Sequence, residues 1–112
     1  MGMVKKINRF EVWLIELDPT KGSEVKKTRP CLIVSPDPVN KHLNTITIVP
    51  LTTSIRSYPT RVNCIFQGRE GQAMVDQIRG LDKTRLKRKL GIMENRFCKV
   101  ICDTIVEAYK WQ

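Results

Sequence analysis

Near residue 94 the hydrophobic pattern of this sequence changes period, and that change limits the fold more than any other feature. Upstream, short apolar runs rich in β-branched residues recur about ten residues apart, and each is closed by a turn signal. The runs are Glu11–Leu17 (EVWLIEL), Cys31–Ser35 (CLIVS), Asn44–Leu51 (NTITIVPL), Thr60–Phe66 (TRVNCIF) and Gln72–Ile78 (QAMVDQI). The first is apolar on both parities at its centre, as a strand covered on both faces must be. The fourth alternates, with Val62, Cys64 and Phe66 on one face. Pro50 marks either the end of the third run or a bulge, and GREG (68–71) reads as a turn. Asp82–Leu86 reads as a short helical turn capped by Asp82, and KLGIM (89–93) as a last short strand. Downstream of Glu94, Phe97, Ile101, Ile105 and Ala108 recur at intervals of three and four, which predicts an amphipathic helix. Five or six short strands and one terminal helix predict a mainly β fold, a small and strongly bent antiparallel sheet or barrel. No repeat or linker interrupts residues 1–112, so one domain is expected.

Charge narrows the range of partners. Lys and Arg number 20 against 11 Asp and Glu, a net charge of +9. So basic a small domain suits polyanions, because each neutralised phosphate releases condensed counterions. An acidic protein partner would suit it too. No run approaches the roughly 20 apolar residues that span a bilayer. The start, MGMVKKINRF, has no apolar stretch behind its basic residues, so neither a membrane nor a secretory role is expected. The four cysteines, Cys31, Cys64, Cys98 and Cys102, form no CxxC pair, and His42 is the single histidine. Structural zinc sites use closely spaced ligand pairs. The cysteines therefore read as reduced core residues of a cytoplasmic protein.

Nucleotide-binding and metalloprotease signatures are absent, and a lone histidine cannot form a catalytic pair. Chemistry must rest on Arg, Thr, Glu and Asp. In GSEVKKTRP (22–30), Arg29 precedes Pro30, which favours extended backbone at residue 29. A guanidinium held there is always charged and shaped to grip a phosphate. Thr52 ends another strand, with its hydroxyl on a rigid edge. Asp76 and Gln77 lie inside an otherwise apolar run, so one of them should face inward or across a cleft. A structural alternative for Asp76 is a salt bridge to a nearby arginine. Glu24 is the better chemical candidate for a base, since an arginine holds its proton beyond pH 12. Lys26, Lys27 and Arg56 could line a nucleic-acid path, with bases stacked on Tyr58, Phe10 or Trp13, although Trp13 also suits the core. The basic run DKTRLKRKL (82–90) reads equally as a long-range attractor or as a solvated face.

Three ordered blocks, RFEVWLIELDPTKGSEVKKTRPCLIVSP, VPLTTSIRSYPTRV and GQAMVDQIRGLDKTRL followed by LG, together span Arg9 to Gly91. In residues and spacing the sequence resembles the MazF/PemK/Kid toxins of bacterial toxin–antitoxin systems. The resemblance implies an SH3-like β-barrel with a C-terminal helix, working as a homodimer. It implies metal- and cofactor-independent cleavage of single-stranded RNA, leaving a 2′,3′-cyclic phosphate and a 5′-hydroxyl. Motif by motif, the catalytic arginine falls on Arg29 and the catalytic threonine on Thr52. Glu24 matches a loop glutamate implicated in some members, and Asp76 an aspartate implicated in others. The RNA-binding set expected beside them is Lys26, Lys27, Thr53, Ser54, Arg56, Tyr58, Gln77 and Arg79. An acidic, partly disordered antitoxin is expected to bind the same groove. Ile46, Ile48 and the C-terminal helix are candidates for the dimer interface.

The chain departs from the family pattern at two places. Phe10-Glu11 stands where many members have Gly-Asp or Gly-Glu. Met74 stands where some carry an arginine two residues before the aspartate, which shifts the expected chemistry onto Arg29 and Thr52. Two other functions fit the same fold. One is a gyrase-poisoning toxin, for which Trp111 near the helix end would be the contact. The other is a basic SH3-like module that binds RNA without cutting it.

Overall fold

The structure, a computed structural model, describes residues 5–18 and 27–112. The order is β1 (Glu11–Asp18), β2 (Lys27–Ile33), α1 (Asp37–His42), β3 (Thr45–Thr52), β4 (Arg61–Phe66), β5 (Arg69–Met74), β6 (Arg79–Asp82), β7 (Leu86–Ile92) and α2 (Asn95–Tyr109). Glu24 and Lys26 lie outside the described residues. The strands pair antiparallel in the order β4-β5-β3-β2-β1-β7, with β6 beside β3. The β-rich class with a C-terminal helix is as expected, but the sheet is not closed into a barrel by backbone pairing. Its end strands, β4 and β7, are joined instead by a side chain. Gln67, in the β4–β5 turn, donates to the Leu90 carbonyl of β7 at 2.7 Å.

Side-chain parity explains why the first three strands are almost continuously apolar. Val12, Leu32, Val49 and Leu51 point into one core cluster, with Val62, Cys64, Ala73, Met93, Cys98 and Ile101. Their neighbours Trp13, Ile15, Cys31, Ile33, Ile46 and Ile48 point into a second cluster with Leu81 and Leu86. Both faces of β1–β3 are therefore covered. Ile46 and Ile48 are 1% and 0% exposed, so they belong to the core and not to a dimer interface. Trp13 is likewise core. Cys31, Cys64 and Cys98 are buried, whereas Cys102 is half-buried, and all four are free thiols.

Several local expectations change. The hairpin turn is Gln67-Gly68, with φ of 51° and 77°, while Arg69–Gly71 already belongs to β5. Two successive left-handed residues give the tight loop whose twist matches its strands. The run expected as one strand over Gln72–Ile78 breaks at Met74. A 3₁₀ turn, Val75–Gln77, follows, and β6 then resumes beside β3. Thr52 pairs with Gln72, but Ile48 pairs with Arg79, so the turn inserts three extra residues opposite Val49 and Pro50. A residue with no N–H fits beside such an excursion, and β3 continues through Pro50 to Thr52. The loop read around His42 contains α1, which begins with Pro38 in its first turn, where a missing N–H costs nothing. Buried Asn40 donates to the Ser35 carbonyl at 2.8 Å and secures it. The Asp82 cap stands as expected, its carboxylate accepting from the Thr84 N–H at 2.9 Å.

The start of β1 is held by a buried carboxylate. Glu11, 2% exposed, accepts from the Asn8 backbone N–H (3.0 Å), the Trp13 indole (2.9 Å) and the Lys89 ammonium (3.0 Å). Phe10 before it takes a left-handed φ of 71°, the geometry that favours the glycine common at this place in the family. No helix among the described residues is long and apolar enough to cross a membrane.

Candidate functional site

Arg29 lies within β2, opposite Ile15, and not at the mouth of the strand, because the β1–β2 ladder already begins at Lys27. Its guanidinium donates to the Leu51 carbonyl of β3 at 3.3 Å. Cys31 pairs with Pro50 and Leu32 with Val49, so continuing that register brings Arg29 level with Thr52. The Thr52 hydroxyl oxygen accepts from the Ser54 N–H at 3.1 Å, which leaves its own hydrogen to donate elsewhere. Arg29, Thr52, Thr53 and Ser54 line one open groove of about 480 Å³. Its other wall is the start of β5, with Arg69, Glu70, Gly71 and Gln72.

Two β5 residues fix that wall. A Cβ on Gly71 would stand 2.4 Å from the Thr52 carbonyl oxygen, so only glycine lets β5 approach β3 here. Gly71→Ala is expected to push the strands apart at Thr52. It should lower stability by about 1–3 kcal/mol in urea denaturation, the usual penalty for overpacking. Gln72 is 3% exposed and clamps the loop that follows β3. Its carbonyl accepts from the Arg56 N–H at 3.0 Å. Its amide donates to the Arg56 carbonyl (3.0 Å) and to Asn63 (2.9 Å). Arg56 is therefore presented beside the groove by a buried amide, with its own side chain exposed.

Asp76 and Gln77 sit on the 3₁₀ turn, both exposed and outside the groove lining. The three-residue insertion puts them out of the ladder, so neither faces inward as a strand residue would. Asp76 meets the Arg61 guanidinium through Nε (2.8 Å) and Nη2 (3.2 Å), and the Thr60 hydroxyl donates to it at 3.1 Å. Arg61 stands opposite Met74 in the β4–β5 ladder. It supplies from β4 the guanidinium that some family members place at the Met74 position. The hydrogen bonds from Arg61, foremost, hold the Asp76 carboxyl below its usual range despite some burial. So stabilised a carboxylate is a weak base. Tyr58, also exposed, lies under Arg61 with 5.1 Å between guanidinium carbon and ring centre.

Arg79 is on β6 opposite Ile48 and outside the groove lining. It is not remote, since Arg29 and Arg79 both draw down the Cys31 thiol, which burial pushes up to about 12. Lys27 opens β2. The basic run is largely tied to β1: Arg85 donates to the Leu17 carbonyl (2.9 Å), Lys87 pairs with Glu16 (3.5 Å) and Lys89 with Glu11 (3.0 Å). The sequence reading missed Glu70, Arg69, Gln72 and Arg61. Their place depends on which strands pair with β5, and the 3.6 and 2.0 periods do not encode that.

Residues 8–109 match the family described as the PemK-like, MazF-like toxin of type II toxin–antitoxin systems. The chain is 37% identical to the endoribonuclease toxin MazF of Escherichia coli K12 over 70 residues, which is 62% of each chain. It therefore spans less than two thirds of that relative's length. Endoribonuclease MazF of Staphylococcus saprophyticus is 31% identical over 105 residues, 88% of each. Among solved structures, an endoribonuclease in complex with its cognate antitoxin, from a mycobacterial species, superposes with a TM-score of 0.78. It is 25% identical, over 95% of this chain and 99% of that one. With Arg29 and Thr52 set in one groove and the match running from Asn8 to Tyr109, the chain belongs to the PemK-like, MazF-like toxins of type II toxin–antitoxin systems.

Proposed function

We propose that this protein is a toxin endoribonuclease that cuts single-stranded RNA in the cytoplasm, without a metal, at short sequences. The observation that carries it is the convergence of Arg29 and Thr52 in one open groove of about 480 Å³. Cleavage lines the 2′-oxygen up behind the scissile phosphorus, and charge develops on the non-bridging oxygens. Arg29 stabilises that charge, where fixed electrostatics contribute most. Thr52 donates a hydrogen bond to the phosphate or to the departing 5′-oxygen. The products are a 2′,3′-cyclic phosphate and a 5′-hydroxyl. Thr53, Ser54 and Arg56 guide the RNA past the site, Tyr58 offers a stacking face, and the charges of Lys26 and Lys27 favour the same polyanion. Gln77 and Arg79 extend the contact on the β6 side.

The groove also fits an acidic, partly disordered antitoxin segment that orders on binding. The related endoribonuclease solved with its cognate antitoxin supports a partner of this kind. A homodimer, with RNA lying across both subunits, completes the proposal. The test is incubation of a long RNA with the purified protein in EDTA, followed by analysis of the ends. Discrete fragments with cyclic phosphate and 5′-hydroxyl ends are expected. Intact RNA that the protein nevertheless retains would support a binding module. Intact and unbound RNA would support a toxin aimed at a protein, for which the fully exposed Trp111 is available.

A further inference from the structure

We infer that Glu70 is the general base of this site, an assignment that rests on the endoribonuclease reading above. Formation of the cyclic phosphate requires that the 2′-hydroxyl lose its proton as its oxygen attacks. Arg29 and Arg69 are permanently charged and cannot accept it. The threonines and Ser54 are neutral hydroxyls. Cys64 is buried, and burial raises its thiol, so it stays protonated. Asp76 is outside the groove lining and is held by Arg61. Glu70 is the carboxylate among the described residues that line the groove.

Its placement suits the task. Gln72 pairs with Thr52, and Glu70 lies two residues earlier on β5. Residues two apart share a face of the strand, so Glu70 is the diagonal neighbour of Thr52, at about 7–8 Å between backbones. That spacing leaves room for a ribose between the two side chains. Glu70 is exposed, and its side chain makes no hydrogen bond or ion pair among the described residues. Unlike Asp76, it has no guanidinium to release before taking a proton.

The proton balance is simple. The 2′-hydroxyl proton passes to the Glu70 carboxylate as the 2′-oxygen bonds to phosphorus. The bond from phosphorus to the 5′-oxygen breaks, and its electron pair stays on that oxygen, which takes a proton from water. Glu70 returns its own proton to solvent, and no other reactant is consumed.

The experiment measures initial cleavage rates of the full chain against pH for wild type, E70Q and E24Q, with binding of an uncleavable RNA measured in parallel. Wild type should lose rate in the acid range as its base takes up a proton. E70Q should fall about 100-fold or more, within the usual worth of a general base. It should lose the acid limb and keep RNA affinity, and E70A should regain rate with added formate. Circular dichroism checks that each variant is folded, and the formate rescue stands in if E70Q is not. Near wild-type rate with an intact acid limb in E70Q, or a limb that disappears in E24Q instead, overturns the assignment. An inactive wild type would remove the nuclease reading itself, whereas an active wild type matched by E70Q removes Glu70 alone.

Discussion

Arg29→Ala is expected to lower RNA cleavage by about 10²–10³-fold, the usual loss when one preorganised donor to a developing oxyanion is removed, in a protein that stays folded. The side chain gives the fold one long hydrogen bond, 3.3 Å to the Leu51 carbonyl, while the β2 ladder is held by backbone groups. Its removal therefore costs charge at the groove and little packing. Arg29→Lys should recover part of the rate, because an ammonium keeps the charge but not the planar fork that grips two phosphate oxygens. Steady-state cleavage of a short RNA, with circular dichroism of each variant, makes the check. A folded Arg29→Ala protein that cuts at nearly the wild-type rate would remove Arg29 from the mechanism.

Glu11→Leu is expected to cost about 2–4 kcal/mol of stability. Two donors at 3.0 and 2.9 Å, the Asn8 N–H and the Trp13 indole, lose their acceptor, and each unsatisfied buried donor costs about 1–3 kcal/mol. Urea denaturation measures the loss. Burial alone would raise the Glu11 carboxyl, but hydrogen bonds from Asn8, Trp13 and Lys89 outweigh it and hold the group below its ordinary value. A depressed native value means that the ionised form stabilises the fold. That contribution is complete above the ordinary carboxylate range and disappears as pH falls through the lower native value. The acid side of the wild-type stability curve should therefore flatten in Glu11→Leu. An unchanged acid transition would show that other carboxylates carry it.

Glu11 also shows how much of the protein could be read from its residues. In sequence it is the first residue of the apolar run Glu11–Leu17. Two of its partners, Asn8 and Trp13, are close in sequence, but the third, Lys89, is brought near only by the β1–β7 pairing. Local signals fared better. The switch from period two to 3.6 located α2, and the apolar runs located β1, β3 and the inner part of β2, which begins at Lys27 and not at Cys31, because side-chain direction follows directly from backbone geometry. The Asp82 cap was legible because an N-cap is a contact over two residues. The break at Val75–Gln77 was not, since Asp76 and Gln77 read as polar residues within a strand, and the three-residue excursion shows only in the pairing with β3, opposite Val49 and Pro50. Arg29 and Thr52 were singled out at strand ends and by their match to the family's motifs, and they line one groove. The wall facing them was not, because Gly71 matters only through the approach of Thr52 from another strand.

The position of β3 has a consequence for fluctuations. It is bordered by β2 on one side and by β5 and then β6 on the other. A strand on the sheet's rim can fray by giving up one ladder, but the centre of β3 opens only when β2 on one side and the strands on the other are surrendered together. Its amide protons therefore reach solvent mainly through global unfolding, whereas the loop after Thr52, secured chiefly through Gln72, can open alone. Thr52 sits where the two regimes meet. On the endoribonuclease reading proposed above, an RNA strand entering the groove would meet a firm floor and a yielding rim, so accommodation would fall to the segment from Thr53 to Pro59.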